Sequence, residues 1–235
     1  MKSIYYYYLF IILILAHFQI TVAKFGVDVA KPVSMETWQC LLRNNFTFAI
    51  VCIFQSNGKV DPNSPARIRN ARAAGMPHIS GYMIPCKKCG DPSEQVRTAM
   101  ANLRSQNAGI EQIWLAVKDP EHWSTNKTEN AQFIQEMSAA IRAVGAFPGI
   151  QTSKSNWQSI VDTNTGFKDL LLWYIQWDNQ ANFNDFESFG NWKLPALKQY
   201  TDPVVICGVP VNKNWDPLEK SMWRLSSTVW SRVRM

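Results

Sequence analysis

Two apolar segments of this chain end in residues that decide whether it can move protons. Phe25-Gly26-Val27-Asp28-Val29 carries one carboxylate, Asp28, near its end. Ile113-Trp114-Leu115-Ala116-Val117-Lys118 ends in a methyl group and an ammonium. Side chains alternate faces along a strand, so positions 116 and 118 point to one side. Two carboxyls at that spacing could serve as acid and base on one substrate. Ala116 has no proton to give. An ordinary lysine has a pKa about six units above that of glutamate, so Lys118 holds its proton too tightly for acid catalysis at neutral pH. Asp119-Pro120-Glu121 follows at once and reads as a solvated acidic loop. Asp28 by itself is equally suited to capping a loop or to a structural hydrogen bond.

The cysteines offer a second chemistry. Cys86-Lys87-Lys88-Cys89 has the spacing of a redox motif, half a zinc site or a local disulfide. The zinc reading lacks a second ligand pair, since His78 and His122 are the histidines left once an N-terminal segment is removed. The redox reading lacks a strand–motif–helix context, because Pro85 and Gly90 bracket the pair as a loop. A local disulfide is the preferred reading, and Cys40 with Cys207 is the next pair. Cys52 lies inside the apolar run Phe48 to Phe54 and reads as a buried free thiol. No metal or organic cofactor is implied.

The elements must position these groups. Lys2, the apolar run Leu9 to Leu15 and Thr21-Val22-Ala23 form a signal segment over residues 1–23, so the protein is expected to be secreted. Its apolar core is too short for a stable membrane span. Cleavage there leaves 23 basic against 18 acidic residues, a formal charge of +5 that favours anionic partners such as bacterial cell walls. No basic stripe with interleaved aromatics suggests nucleic acid. Asn45-Phe46-Thr47 and Asn126-Lys127-Thr128 are glycosylation sequons. No linker divides residues 24–217, which read as one domain, and residues 218–235 form a basic tail with Lys220, Arg224, Arg232 and Arg234.

Within the domain, strands are predicted at 25–29, 48–55, 78–84, 112–117, 148–152 and 170–177. Helices are predicted at 35–43 behind Ser34, from Ser64-Pro65 to Gly75, from Asp91-Pro92 toward Asn107, at about 130–144 and at about 156–161. Short apolar runs at 196–200 and 204–207 follow. Strands alternating with helices imply parallel pairing with right-handed crossovers. Five such units and then strands without helices fit an irregular α/β barrel.

In order and spacing, a set of local markers resembles the Ch-type lysozymes of glycoside hydrolase family 25, especially secreted invertebrate members. They include Gly26-Val27-Asp28-Val29, Pro32-Val33-Ser34, Thr37-Trp38-Gln39-Cys40, Phe48-Ala49-Ile50-Val51 and Asp61-Pro62-Asn63. Later ones are Tyr82 to Cys86, Ile113-Trp114-Leu115, Leu172-Trp173-Tyr174 and Lys198-Gln199-Tyr200. The resemblance runs from Phe25 to Pro217. It implies a single-domain, TIM-like (β/α)5β3 barrel with its site at the carboxyl ends of the strands.

In that family the fourth strand reads Ile-Trp-Leu-Asp-Val-Glu, and its acids do the chemistry. The resemblance therefore marks Ala116 and Lys118 as substituted catalytic positions, Asn212 as a third, and Asp28 as a retained one. Glycosidic cleavage uses two carboxyl functions, so the chain reads as an inactive or strongly impaired hydrolase. Tyr82, Trp173, Tyr174, Trp177 and Tyr200 are candidates for stacking on sugar rings. The implied role is binding bacterial peptidoglycan or a related glycan in antibacterial defence or digestion. Two alternatives stand beside it. One is an active muramidase using Asp28 and a relocated acid, Asp119 or Glu121. That acid pair falls on the opposite parity once the match is continued through Pro120 and Trp123. The other is a non-enzymatic interaction protein with a vestigial cleft.

Overall fold

A computed structural model describes residues 23–162 and 166–217. The basic tail and, apart from Ala23, the signal segment lie outside the described residues. Six strands alternate with five helices: β1 (Lys24–Val29), α1 (Met35–Arg43), β2 (Phe46–Phe54), α2 (Ser64–Ala73), β3 (His78–Met83), α3 (Pro92–Arg104), β4 (Gln112–Ala116), α4 (Lys127–Ala143), β5 (Phe147–Thr152), α5 (Lys154–Ile160) and β6 (Leu171–Ile175). β7 (Leu197–Gln199), β8 (Val204–Ile206) and β9 (Val209–Asp216) follow without helices. β1 to β7 pair in parallel and in chain order. β9 runs antiparallel to both β7 and β1 and closes the barrel. The expected (β/α)5β3 architecture is thus present.

Two details depart from the sequence reading. The run at 204–207 is no barrel stave, because β8 pairs with β9 alone and forms the outer arm of a hairpin. The closing stave is β9, whose alternation of small polar and apolar residues gave no strong strand signal. Helix α4 also starts earlier than 130, because the Asn126 side chain accepts from the backbone N–H groups of Thr128 and Glu129 and so caps it. Asn126 also donates to Glu129 Oε1, whereas Asn45 sits on an exposed left-handed turn between α1 and β2.

Period-two alternation sorts the side chains into two cores. Outward rows pack against the helices. Inward rows fill the barrel with Phe48, Ile50, Cys52, Tyr82, Trp114, Ala116, Trp173 and Leu197. Two glycines make that filling possible. A Cβ at Gly26 would lie 2.3 Å from the Phe48 ring, and one at Gly149 2.4 Å from the Trp114 ring. Disulfides join Cys40 to Cys207, tying α1 to the β8–β9 hairpin, and Cys86 to Cys89. Cys52 is a buried free thiol whose pKa burial pushes up to about 11, so it stays protonated.

At the amino-terminal end of the strands, Lys24 Nζ lies 2.9 Å from His78 Nε2. Burial, aided by that ammonium, pushes His78 down to about 4. As pH falls below about 6.5, the unfolded chain takes up a proton that the folded chain refuses. Stability should therefore fall between pH 6.5 and about 4 and level off below. In urea melts, His78→Gln is expected to lose less stability than wild type between neutral pH and the acid end of that window. Equal losses would mean that His78 titrates alike in both states.

Candidate functional site

Asp28 ends the inward row of β1 at the carboxyl ends of the parallel strands. It is buried, and register sets it opposite Asn212 of β9. Three amides converge on its carboxylate. Asn214 Nδ2 and Gln199 Nε2 donate to Oδ1, and Asn212 Nδ2 donates to Oδ2, each at 2.8 Å.

Two indoles fix which way two of those amides face. Trp173 Nε1 donates to Asn214 Oδ1 at 2.8 Å, and Trp177 Nε1 donates to Gln199 Oε1 at 2.9 Å. An indole N–H can only donate. It therefore claims the amide oxygen and leaves the NH2 for Asp28. Asn212 has no such clamp, and its Oδ1 is buried without a partner among the described residues. Burial raises the Asp28 pKa above the ordinary range, and the amide donors and the Lys118 cation pull it down without overcoming that effect. A protonated Asp28 could donate to Asn212 Oδ1 if that amide turned over.

The other side of the mouth carries no second acid on β4. Ala116 is buried in the inner core and pairs with Gln151 of β5, whose Oε1 is buried without a hydrogen-bond partner among the described residues. Lys118 is 34% exposed, with Nζ 3.9 Å from Asp119 Oδ2. Its backbone carbonyl accepts from Trp123 Nε1 at 3.0 Å. Asp119 takes a left-handed conformation, φ 56°, and Glu121 is exposed on the following turn. Among the described residues no three His, Cys, Asp or Glu side chains cluster as metal ligands would.

The five candidate aromatics do not share one surface. Tyr82 and Trp173 face inward, edge to face at 6.2 Å, with Trp114 one layer deeper, 5.7 Å from Trp173. Burial first, then neighbouring Cys52 and Asp28, raises the Tyr82 pKa and keeps its phenol protonated. Trp177 stands 52% exposed at the rim. Tyr174 is on the opposite face of β6, where its hydroxyl donates to Asp185 Oδ2 at 2.8 Å and its ring packs on Phe186. It anchors the 176–196 loop and does not line the mouth. Tyr200 follows β7 and has Lys213 Nζ 5.3 Å from its ring centre.

Sequence reasoning missed Gln151, Gln199 and Asn214 as site residues. The signal was faint but present. Asn212 and Asn214 share a strand parity, and Gln199 shares the inward row of Leu197.

A family model described as lysozyme-like protein 1 matches residues 19–200. Probable GH family 25 lysozyme 2 of Dictyostelium discoideum is 36% identical over 192 residues, covering 82% of this chain and 90% of that relative. Lysozyme-like protein 5 of Caenorhabditis elegans is 32% identical over 212 residues, covering 88% and 98%. The solved family GH25 lysozyme from Aspergillus fumigatus shares the fold, with a TM-score of 0.70 at 14% identity over 87% of this chain and 97% of that one. With the barrel, the strand-end carboxylate and these matches together, the chain belongs to the lysozyme-like proteins of glycoside hydrolase family 25.

Proposed function

We propose that this protein binds a peptidoglycan-type glycan at the barrel mouth without turning it over. The observation that carries this reading is the retained, triply hydrogen-bonded Asp28 facing a mouth where the matching acid positions hold Ala116 and Lys118. A lone carboxyl can polarise or donate a proton, but glycosidic cleavage usually uses a second carboxyl function. Lys118 also opposes the positive charge that develops on the sugar. The reading in which Asp119 supplies the missing acid is disfavoured by its left-handed turn after β4, off the parity of the inward row. Of the candidate aromatics, Trp177 at the rim is the sugar platform, whereas Tyr82 and Trp173 are buried in the barrel filling beneath the mouth.

The protein acts outside the cell, in defence against bacteria or in digestion. The N-terminal signal pattern and two disulfides support that location, since disulfides persist in oxidising compartments. Among the described residues, no helix is long and apolar enough to cross a membrane. Asn45 and Asn126 are its proposed glycosylation sites, both exposed.

Sedimentation with insoluble peptidoglycan tests this. The protein should pellet with the wall and release no reducing ends. Trp177→Ala should weaken binding about tenfold, the scale of one lost aromatic platform. Reducing-end release by the wild type would refute the absence of turnover, and failure to pellet would refute the glycan cleft.

A further inference from the structure

We infer that the mouth selects glycans bearing a carboxylate and seats that anion on Lys118. This rests on the glycan-cleft reading above and names the class of ligand.

Lys118 shares the inward parity of Ala116 and keeps a third of its side chain exposed. Its ion pair with Asp119 spans 3.9 Å and is nearly half open to water on the aspartate side. A solvent-facing pair of that kind is weak and leaves the ammonium able to meet a better-placed anion. Gln151, on the neighbouring strand and only 3% exposed, has a buried Oε1 with no donor among the described residues. A sugar hydroxyl or an N-acetyl N–H could supply that donor.

The surrounding loops reinforce one sign of charge. Exposed Lys31, Lys59 and Lys88 lie on the loops that follow β1, β2 and β3. Two acids of the same loops are already engaged, Asp61 with buried Arg67 at 2.5 Å and Asp91 with Arg97 at 3.5 Å. In the 176–196 loop, Asp178 and Asp185 are held by Lys198, and Glu187 is held by Lys154. The loop after β4 also carries Asp119 and exposed Glu121, so the cations offered to a ligand are Lys118 and the lysines of the first three loops. A neutral sugar can accept a hydrogen bond from an ammonium, whereas a carboxylate gains the attraction of opposite charges in addition.

Two glycan chemistries carry such a group: a uronic acid ring, and an amino sugar with a lactyl or peptide carboxylate. Calorimetric titration at low salt with a chitin tetrasaccharide, a hyaluronan tetrasaccharide and a muramyl peptide separates them. Wild type should bind at least one anionic ligand about tenfold more tightly than the neutral one, the factor a charged hydrogen bond supplies. The preferred anion identifies the source. The gap should shrink with added salt, close in Lys118→Gln and reverse in Lys118→Glu. Equal binding of all three ligands, unchanged in Lys118→Glu, overturns the anion site and leaves the glycan cleft standing. Binding of none overturns both.

Discussion

The double substitution Ala116→Asp/Lys118→Glu is expected to turn a protein that leaves bacterial walls turbid into one that clears them. A missing general acid costs roughly 10²–10⁴-fold in rate, and the substitution restores the paired carboxyls together. It also acts on Asp28. Removing the Lys118 cation takes away one influence that lowers the Asp28 pKa, and a glutamate there adds a like charge that raises it further. Asp28 would then hold its proton to higher pH. Position 116 is buried beside Trp114 and Trp173, so a new aspartate needs a donor. Gln151 can provide one by turning its amide nitrogen inward. Adding Asp28→Ala to the double mutant should abolish clearing. Clearing by wild type would show that Ala116 and Lys118 do not mark a loss of activity. A folded but silent double mutant, judged by its thermal melt, would show that the mouth has lost more than two carboxyls.

Lys198→Met is expected to cost about 3 kcal/mol in urea unfolding. Lys198 is fully buried, and its ammonium lies 2.7 Å from Asp178 and 2.6 Å from Asp185. Removing one partner of a buried pair strands the other charges, typically at about 3–5 kcal/mol. The lower end applies because the aspartates keep 24% and 28% exposure and can partly rehydrate. Lys198→Met/Asp178→Asn/Asp185→Asn should recover most of the loss. The pH dependence has a definite sign. Burial pushes Asp185 up, but hydrogen bonds from Lys198 and Tyr174 and the Lys198 charge outweigh it, and its pKa ends below the ordinary range. That stabilisation is complete above the ordinary carboxyl pKa and is lost as pH falls through the lowered value. Wild type and Lys198→Met should therefore converge in acid. A constant gap at all pH values would mean that packing of the lysine stem, not its charge, sets the cost.

Much of the barrel was legible before any coordinates. Ser34, Asp91-Pro92 and the helix-stopping Gly75 and Gly145 mark element ends by local chemistry, and local chemistry is written in adjacent residues. The buried runs of β2, β4 and β6 were equally plain, because parallel strands covered on both faces read as continuous apolar segments. β9 was harder. It is antiparallel and half polar, and its asparagines look like loop residues until β1 and β7 are placed beside it.

The sequence by itself determined the fold class, the disulfide candidates and the identity of the residues at each strand end, including the methyl and ammonium where acids would stand. The strand-end residues and the Cys86–Cys89 pair follow from spacing within a few residues, and the fold class from the order of elements along the chain. Only the tertiary structure decided what surrounds Asp28. Gln199, Asn212 and Asn214 are more than 170 positions away along the chain, and Trp173 and Trp177 set the amide orientation from a different strand and loop. It likewise separated Trp173 from Tyr174, neighbours in sequence that a pleated strand sends to opposite faces. Barrel closure brings distant strands within hydrogen-bonding reach, and no local pattern encodes that proximity.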